Sequence, residues 1–217
     1  MVNIYAADIA KLPDPKKFPE LMEHLPEERK EKIMKYKQEQ SRKQSLGAGL
    51  LLQQVFIRHG VLAEEIYFGE HGKPEIEGLH FNLSHSQDMV ICVVSEKPVG
   101  CDIENIKRAP KLIAERFFCE NERKYLNTFE GIEKDSEFFR LWTMKESYMK
   151  MTGEGMHLGL DQFEVAIEDE VKVYREGEKC DCFMKEYEIS GYKVTVCAEE
   201  NGFAEAIEEL KIYDILI

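Results

Sequence analysis

The chain has 217 residues, of which 43% are hydrophobic and 33% charged, a composition typical of globular proteins rather than disordered or membrane-spanning ones. Its 42 acidic residues outnumber the 29 basic ones and give a formal net charge of −13 at pH 7. Duplex nucleic acid and anionic membrane surfaces both require a positive protein patch, so neither is an expected partner. A small anionic ligand in a locally basic pocket remains compatible with this charge.

The charge is unevenly distributed along the chain. Residues 161–217 carry a net charge of −10, whereas residues 1–160 carry −3. Between residues 24 and 43, seven basic side chains outnumber four acidic ones. Such a segment forms either a solvated helix with surface ion pairs or a contact with an anionic ligand. Taken alone, the pattern favours the solvated helix.

Residues 1–10 predict a strand, after which three prolines interrupt regular structure. Pro26 is suited to the first turn of a helix. A longer helix is predicted from about residue 41 to residue 58, with Gly60 as its stop. Short strands are then predicted at residues 66–68, 81–84, 89–94 and 99–104.

The remainder of the chain predicts helical regions at residues 111–129 and 135–151. Strands follow at residues 163–167, 171–174, 183–189, 192–197 and 212–217. Both halves therefore place helices before strands, which predicts an α+β fold and suggests a duplicated unit. The chain start resembles no signal peptide and no apolar run is long enough to span a membrane. We therefore expect a cytoplasmic protein with reduced cysteines.

Asp102 and Glu104 follow Gly100 at the end of an apolar strand. Residues i and i+2 of a strand share a face, so the two carboxylates point the same way. Like charges this close repel each other and need solvent or a cation between them. From this pair alone, two solvated carboxylates are the favoured interpretation.

A third carboxylate lies in the predicted helix at residues 135–151. Trp142, Glu146 and Lys150 recur every four residues and share one helix face. This spacing fits an ordinary ion pair beside a half-buried tryptophan. Alternatively, Glu146 joins the two strand carboxylates in an oxygen-ligand site for Mg²⁺, with Lys150 one turn away to meet a phosphate.

Ser84 and His85 are adjacent at the end of a predicted strand. Consecutive strand residues point to opposite faces, and no G-x-S-x-G turn surrounds the serine, which disfavours a hydrolase triad. A hydroxyl and an imidazole here can instead hydrogen-bond phosphate oxygens, as can Lys73 on its glycine-flanked turn. That turn is no Walker motif, because its glycines are too close together and Pro74 replaces the hydroxyl residue.

These segments stand in one order along the chain, and together they resemble the Sfp-type (surfactin-synthetase-activating) class of 4′-phosphopantetheinyl transferases. The resemblance covers nearly the whole chain. It is carried by residues 72–74, 81–86, 99–104 and 139–147 with Lys150, and residues 116–118 and 153–155 fit the same pattern.

The resemblance implies transfer of the 4′-phosphopantetheine arm of coenzyme A to a serine of an apo acyl or peptidyl carrier protein. The other product is adenosine 3′,5′-bisphosphate, and the reaction needs Mg²⁺ or Mn²⁺. The implied metal ligands are Asp102, Glu104 and Glu146. The implied catalytic residues are Glu146, which would take the serine proton directly or through a metal-bound water, and Lys150. The implied coenzyme-binding residues are Lys43, Lys73, Pro74, Ser84, His85 and Lys150.

The resemblance also implies an α+β fold with two similar halves related by a pseudo-twofold axis and an active site at their interface. Residues 1–100 would form the half that binds the phosphates of coenzyme A. Residues 101–217 would carry the metal carboxylates, the catalytic helix and the carrier-protein docking surface. A chain that supplies both halves is expected to act as a monomer.

The chain departs from the family pattern at four positions. Glu28 and Glu31 occur where relatives often place lysines that reach the 3′-phosphate, and Lys30 and Lys32 lie beside them, which leaves a one-residue shift or a different contact set open. Gln44 replaces a small hydroxyl residue, and Gln87 replaces the glycine that often follows the Ser-His-Ser run. We expect the change at residue 87 to alter a loop without chemical effect.

Two other functions compete with transfer. A Mg²⁺-dependent nucleotide or pyrophosphate hydrolase would use the same carboxylates without a carrier protein. A non-catalytic carrier-binding module would bind the carrier without turnover. The presence of all three carboxylates and Lys150 disfavours the latter.

Overall fold

The computed structural model describes residues 1–61, 66–68 and 74–212. Within these ranges it has five α-helices. They are α1 (Glu27–Lys35), α2 (Glu39–His59), α3 (Lys111–Phe117), α4 (Glu120–Leu126) and α5 (Gly131–Thr152). Short 3₁₀ turns occur at Pro19–Met22, Gly155–His157 and Leu160–Gln162. Helix α2 ends at Gly60, whose positive φ of 68° closes the helix as predicted. No helix of the described part is both long and apolar enough to cross a membrane.

Twelve strands occur in the same ranges. They are β1 (Asn3–Asp8), β2 (Tyr67–Phe68), β3 (Pro74–Glu75), β4 (His80–Ser86), β5 (Met89–Ser95), β6 (Val99–Asn105), β7 (Phe163–Ile167), β8 (Val171–Arg175), β9 (Glu178–Lys179), β10 (Phe183–Ile189), β11 (Tyr192–Ala198) and β12 (Glu208–Glu209). The strands predicted between residues 1 and 197 are thus confirmed. The strand predicted at residues 212–217 lies, apart from its first residue, outside the described residues.

The strands form two main sheets and two small ones. The first main sheet has the order β12-β1-β5-β4, and the second has the order β10-β11-β6. Strands β7-β8-β9 and β2-β3 form the small sheets. All pairs are antiparallel except β12 with β1. The mixed α+β fold is therefore confirmed, whereas the pseudo-twofold halves and the boundary at residue 100 stay predictions.

Three hydrophobic clusters hold the two main sheets and two helices together in four layers. Helix α2 covers one face of the first sheet, the other face of that sheet packs on the second sheet, and α5 covers the far face of the second sheet. The burial of this apolar surface is the main favourable term in the fold. Buried residues that represent the three interfaces are Leu46 with Val90, Ile91 with Val196, and Met151 with Cys197.

The helical region predicted at residues 111–129 is split in the structure. Phe118 and Cys119 are extended and separate α3 from α4. The Cys119 N–H donates to the Glu122 carboxylate at 2.7 Å, which caps the start of α4. The cap at Cys119 thus divides the helical region predicted for residues 111–129 into two helices. Helix α5 begins at Gly131, four residues before the predicted start at residue 135.

Gly100 allows α5 to approach β6 closely. A Cβ atom at this position would overlap the backbone of Ser147 and Met151. Only glycine therefore lets the α5 backbone lie directly on the strand. This close approach brings the side chains of α5 to the carboxylates of β6.

Gly100→Ala should lower the free energy of unfolding by about 1–3 kcal/mol, because the added methyl group forces the helix away from the strand. Urea unfolding followed by circular dichroism measures this loss. Gly202→Ala is the control, since a Cβ there meets only the Met1 Cα at 3.9 Å. Equal stability of Gly100→Ala and wild type would contradict the close approach.

Candidate active site

Side chains of β4 accept hydrogen bonds from the backbone of β6, although the two strands belong to different sheets. The accepting side chains alternate along β4, as expected for one strand face. We call this row the polar seam. Its three bonds run from Cys101 N–H to Asn82 Oδ1 at 3.0 Å, from Ile103 N–H to Ser84 Oγ at 3.4 Å, and from Asn105 N–H to Ser86 Oγ at 3.1 Å.

The hydroxyl groups of the two serines of the polar seam donate hydrogen bonds to the predicted metal carboxylates. Ser84 Oγ donates to Asp102 Oδ1 at 2.7 Å, and Ser86 Oγ donates to Glu104 Oε2 at 2.9 Å. Asp102 is buried, so the solvated-pair interpretation does not hold for it. Each carboxylate of β6 is therefore oriented by a hydroxyl of β4.

Helix α5 adds a lysine and a third carboxylate to this site. Lys150 Nζ donates to Asp102 Oδ1 at 2.7 Å and to the Cys101 carbonyl at 3.2 Å. The same ammonium lies 3.2 Å from Ser84 Oγ. Glu146 lies one turn earlier on α5, close enough to both β6 carboxylates for their charges to raise its pKa.

Negative charge is in excess at this site. Burial, followed by the charge of Asp102 and then Glu104, raises the pKa of Glu146 to about 6. Burial and then Asp102 also raise the pKa of Glu104. Burial acts to lower the pKa of Lys150, but Asp102 and its other neighbours outweigh it, so that the pKa is raised. The carboxylates repel one another, and Lys150 stays protonated.

The donor set fits a hard divalent cation. Asp102 Oδ2 is buried without a hydrogen-bond partner, and carboxylate oxygens are the ligands that Mg²⁺ prefers. Among the described residues, no three His, Cys, Asp or Glu side chains already stand together as a ligand set. In this structure the Lys150 ammonium forms an ion pair with the Asp102 carboxylate.

A buried ion pair fixes the other side of α5. Lys145 and Glu122 have fully buried side chains and pair with each other. Lys145 Nζ also donates to the Phe163 carbonyl at 2.7 Å. The Glu122 carboxylate accepts the N–H groups of Cys119 and Val165, each at 2.7 Å. These bonds tie α4, α5 and β7 together directly behind Glu146, and sequence reasoning assigned no role to Lys145.

A cavity of about 210 Å³ lies on the other side of β4. It is lined by apolar and basic groups, among them Arg29, Lys32, Tyr36, Pro74, Phe81 and His85. Its basic character suits an anionic ligand with a planar or apolar part.

Arg29 is the most distinctive group of this cavity. Its Nη2 donates to the Ser45 carbonyl at 3.0 Å, while its Nε is buried without a hydrogen-bond partner. Burial lowers the pKa of Arg29 from its usual value. A guanidinium with a spare buried N–H is suited to bind an anion.

The connection between α1 and α2 is fixed by a second buried ion pair. Arg42 makes two bonds to Asp14, at 2.8 and 2.7 Å, and donates to the carbonyls of Tyr36 and Lys37. The hydrogen bonds from Arg42 lower the pKa of Asp14 to about 2. This pair holds the end of α1, and hence the basic side of the cavity, against α2.

Comparison with known proteins now identifies the family. A family model described as the 4′-phosphopantetheinyl transferase superfamily matches residues 98–197. A 4′-phosphopantetheinyl transferase from Bacillus subtilis is 35% identical over 207 residues, covering 91% of this chain and 92% of the relative. The Sfp transferase of Bacillus subtilis strain 168 is 34% identical, covering 90% and 91%. The chain belongs to the 4′-phosphopantetheinyl transferase family.

The prediction that the protein is a transferase of this family is confirmed. A further relative, the 4′-phosphopantetheinyl transferase gsp of Aneurinibacillus migulanus, is 34% identical over 82% of this chain and 78% of its own length. Among solved structures, a holo-(acyl-carrier-protein) synthase from Bacillus anthracis aligns at a TM-score of 0.41 and 20% identity. That alignment spans 46% of this chain and 93% of the synthase.

The structure places the predicted residues of this phosphopantetheinyl transferase in two groups. Asp102, Glu104, Lys150 and Ser84 meet at the polar seam, and the charges of Asp102 and Glu104 act on the nearby Glu146. Pro74 and His85 line the basic cavity.

His85 is open to solvent, yet partial loss of hydration and the nearby charge of Lys150 lower its pKa. Lys43 is not among the residues that line the cavity, and its ammonium donates to the Ala10 carbonyl at 3.1 Å. Lys73 lies outside the described residues.

The cavity contains two basic residues that sequence reasoning left out of the site, Arg29 and Lys32. The signal that could have found them is their i,i+3 spacing, which places both on one face of α1. Lys30 and Lys35 on the same helix form surface ion pairs with Glu27 and Glu31. The solvated-helix interpretation therefore holds for this face of α1, and contact of the other face with an anionic ligand stays a prediction.

In the metal-free transferase, Glu146→Gln should raise the free energy of unfolding by about 1–2 kcal/mol near pH 7. The folded protein holds the pKa of Glu146 at about 6, above the usual 4.5, so ionisation of Glu146 opposes folding. The contribution of Glu146 to wild-type stability should therefore rise as the pH falls through about 6, and the variant should lose this part of the pH dependence.

Urea unfolding with a chelator at about pH 7 and about pH 5 measures both effects. Glu178→Gln, at an exposed position of β9, is the control. A Glu146→Gln variant with wild-type stability at both pH values would contradict the destabilising charge.

Proposed function

We propose that this transferase moves the 4′-phosphopantetheine arm of coenzyme A to a serine hydroxyl of an apo acyl or peptidyl carrier protein. The second product is adenosine 3′,5′-bisphosphate, and Mg²⁺ or Mn²⁺ is the cofactor. The observation that carries the proposal is the pair of hydroxyl-oriented carboxylates Asp102 and Glu104, of which Asp102 has a buried oxygen without a partner and both lie close enough to Glu146 to raise its pKa.

Asp102, Glu104 and Glu146 would hold the cation. The unpartnered Asp102 Oδ2 and the raised pKa values of the other two carboxylates support this assignment. When bound, the cation supplies positive charge for the pyrophosphate of coenzyme A and for the negative charge that develops during transfer.

Glu146 takes the proton of the attacking serine. The serine oxygen forms a bond to the β-phosphorus of the coenzyme pyrophosphate, and the bond from that phosphorus to the bridging oxygen breaks. The electron pair leaves on adenosine 3′,5′-bisphosphate. Because Glu146 would also hold the cation, its carboxylate is a weaker base than in the metal-free protein, and it takes the proton directly or through a water. The acceptor nucleophile comes from the carrier, in keeping with the role of Ser84 Oγ as a donor to Asp102.

Lys150 stabilises the leaving bisphosphate. Its raised pKa keeps the side chain protonated at neutral pH, and its ammonium already lies at the carboxylate site. A fixed positive charge at the position where negative charge develops lowers the barrier without rearrangement.

The basic cavity binds the adenosine end of coenzyme A. Arg29, Lys32 and His85 provide donors for the 3′-phosphate, and the buried Nε–H of Arg29 has no competing partner. The apolar wall at Phe81 and the tyrosine ring of Tyr36 offer contact to the base.

Arg29→Ala should raise the KM for coenzyme A about 10- to 100-fold, because a hydrogen bond to a charged group is lost. The KM for 3′-dephospho-coenzyme A, which lacks the phosphate, should change much less. Steady-state transfer kinetics with both donors measure the difference. Arg58→Ala, at an exposed position on α2, is the control. Equal losses with both donors would contradict a 3′-phosphate contact.

The decisive test incubates the protein with coenzyme A, Mg²⁺ and a panel of apo acyl and peptidyl carrier proteins, and then weighs the carriers. We expect a gain of one phosphopantetheine group on at least one carrier. Glu146→Gln should lower the rate by about 100-fold or more, and Glu178→Gln should not.

Three outcomes would contradict the proposed reaction. No mass gain on any carrier would exclude transfer to the carriers of the panel. Release of 4′-phosphopantetheine and adenosine 3′,5′-bisphosphate from coenzyme A without a carrier would favour a Mg²⁺-dependent pyrophosphate hydrolase. Carrier binding without turnover would favour a non-catalytic module.

A further inference from the structure

The turn between β4 and β5 has an unusual backbone. Gln87 and Asp88 connect Ser86 to Met89, which face each other across the strand pair. Gln87 has a φ of 48°, and two-residue hairpin loops require a positive φ at this first loop position. Glycine adopts that conformation readily, whereas a residue with a side chain does so at an energetic cost.

Two glutamines of α2 hold this turn. Gln40 Nε2 and Gln44 Nε2 both donate to the carbonyl oxygen of Gln87, at 2.6 and 3.0 Å. Their i,i+4 spacing places both amides on one face of the helix. Gln40 Nε2 also lies 3.2 Å from Asp88 Oδ1. We call this arrangement the glutamine clasp.

The glutamine clasp acts on the residue that precedes the turn. Ser86 is buried, accepts the Asn105 N–H and donates to Glu104 Oε2. Its position at the end of β4 is therefore set on one side by the strand pair and on the other by the held turn. A shift of the turn would move Ser86 Oγ away from Glu104.

We propose that Ser86 is a positioning residue for Glu104 and that Gln40 and Gln44 keep Ser86 in place through the carbonyl of Gln87. An outer hydrogen bond fixes the direction in which a carboxylate ligand presents its oxygens. If the clasp acts as proposed, the change at residue 87 affects the carboxylate site, whereas the sequence predicted a loop change without chemical effect. The proposal rests on the proposed function only in that Glu104 serves a divalent cation.

The first experiment tests whether the clasp holds Ser86, and it needs neither metal nor substrate. In Gln40→Ala/Gln44→Ala, hydrogen exchange of the Asn105 amide should become severalfold faster, because its acceptor Ser86 Oγ is no longer held. Addition of Gln87→Gly should slow it again, since glycine adopts the turn unaided. Gln53→Ala/Gln54→Ala is the matched control, because these α2 glutamines donate to the His24 and Lys211 carbonyls instead.

The second experiment tests the link from Ser86 to the cation. Mn²⁺ binding to the full chain is measured by electron paramagnetic resonance, with coenzyme A present and no carrier. Ser86→Ala should weaken binding about 10-fold or more, while Ser86→Thr, which keeps the hydroxyl, should retain most of the affinity. The double glutamine variant should weaken binding about threefold, within the range for loss of a single hydrogen bond. Thermal unfolding of each variant separates this effect from loss of folded protein.

Unchanged Asn105 exchange in the double variant, or unchanged Mn²⁺ affinity in Ser86→Ala, would overturn the proposal. A wild type that binds no Mn²⁺ would overturn both the cation site and the positioning role. A wild type whose Mn²⁺ affinity depends on Ser86 but which modifies no carrier would contradict the proposed function while supporting the positioning role. The positioning role can therefore fail while the proposed function holds, and the proposed function can fail while the positioning role holds.

Discussion

The polar seam joins the two main sheets, and the site depends on it. Strand β4 meets β6 through side-chain oxygens rather than through a backbone ladder. The hydroxyl of each seam serine accepts a hydrogen bond from a backbone N–H and donates one to a carboxylate. The contact that closes the sandwich is therefore the same contact that orients Asp102 and Glu104. The hydrogen bonds of the seam leave one buried acceptor of this network, Asp102 Oδ2, without a partner, and an unpaired buried polar atom is unfavourable.

Two further contacts, on opposite sides of α5, fix this helix in addition to the bonds of Lys150 to the seam. On one side, the absence of a Cβ at Gly100 lets the helix backbone lie on β6. On the other, the buried pair of Lys145 and Glu122 anchors the helix to α4 and β7. Successive helix residues point about 100° apart, so Lys145 enters the core while Glu146 faces the carboxylates. Contacts that do not involve the Glu146 side chain thus hold its carboxylate where the charge is unfavourable.

The sequence allowed prediction of what depends on local periodicity. The i,i+2 pair of Asp102 and Glu104 and the helix face shared by Glu146 and Lys150 both follow from the geometry of single elements. The role of Ser84 does not, because a hydroxyl can donate to a phosphate or to a carboxylate, and the choice depends on which strand lies opposite. The position of Arg29 likewise depends on the remote pair of Asp14 and Arg42. Contacts between elements distant in sequence carry no local pattern.

The parallel pairing of β12 with β1 joins the two ends of the chain in one sheet. Val2 N–H donates to Gly202 O, and Leu210 N–H donates to Ala6 O. During synthesis, residues near the N-terminus leave the ribosome long before their last sheet partner exists. The outer edge of β1 stays open until residues 208 and 209 have emerged, and an open edge invites pairing with other chains. Completion of the first sheet is therefore a late step in the synthesis and folding of the chain.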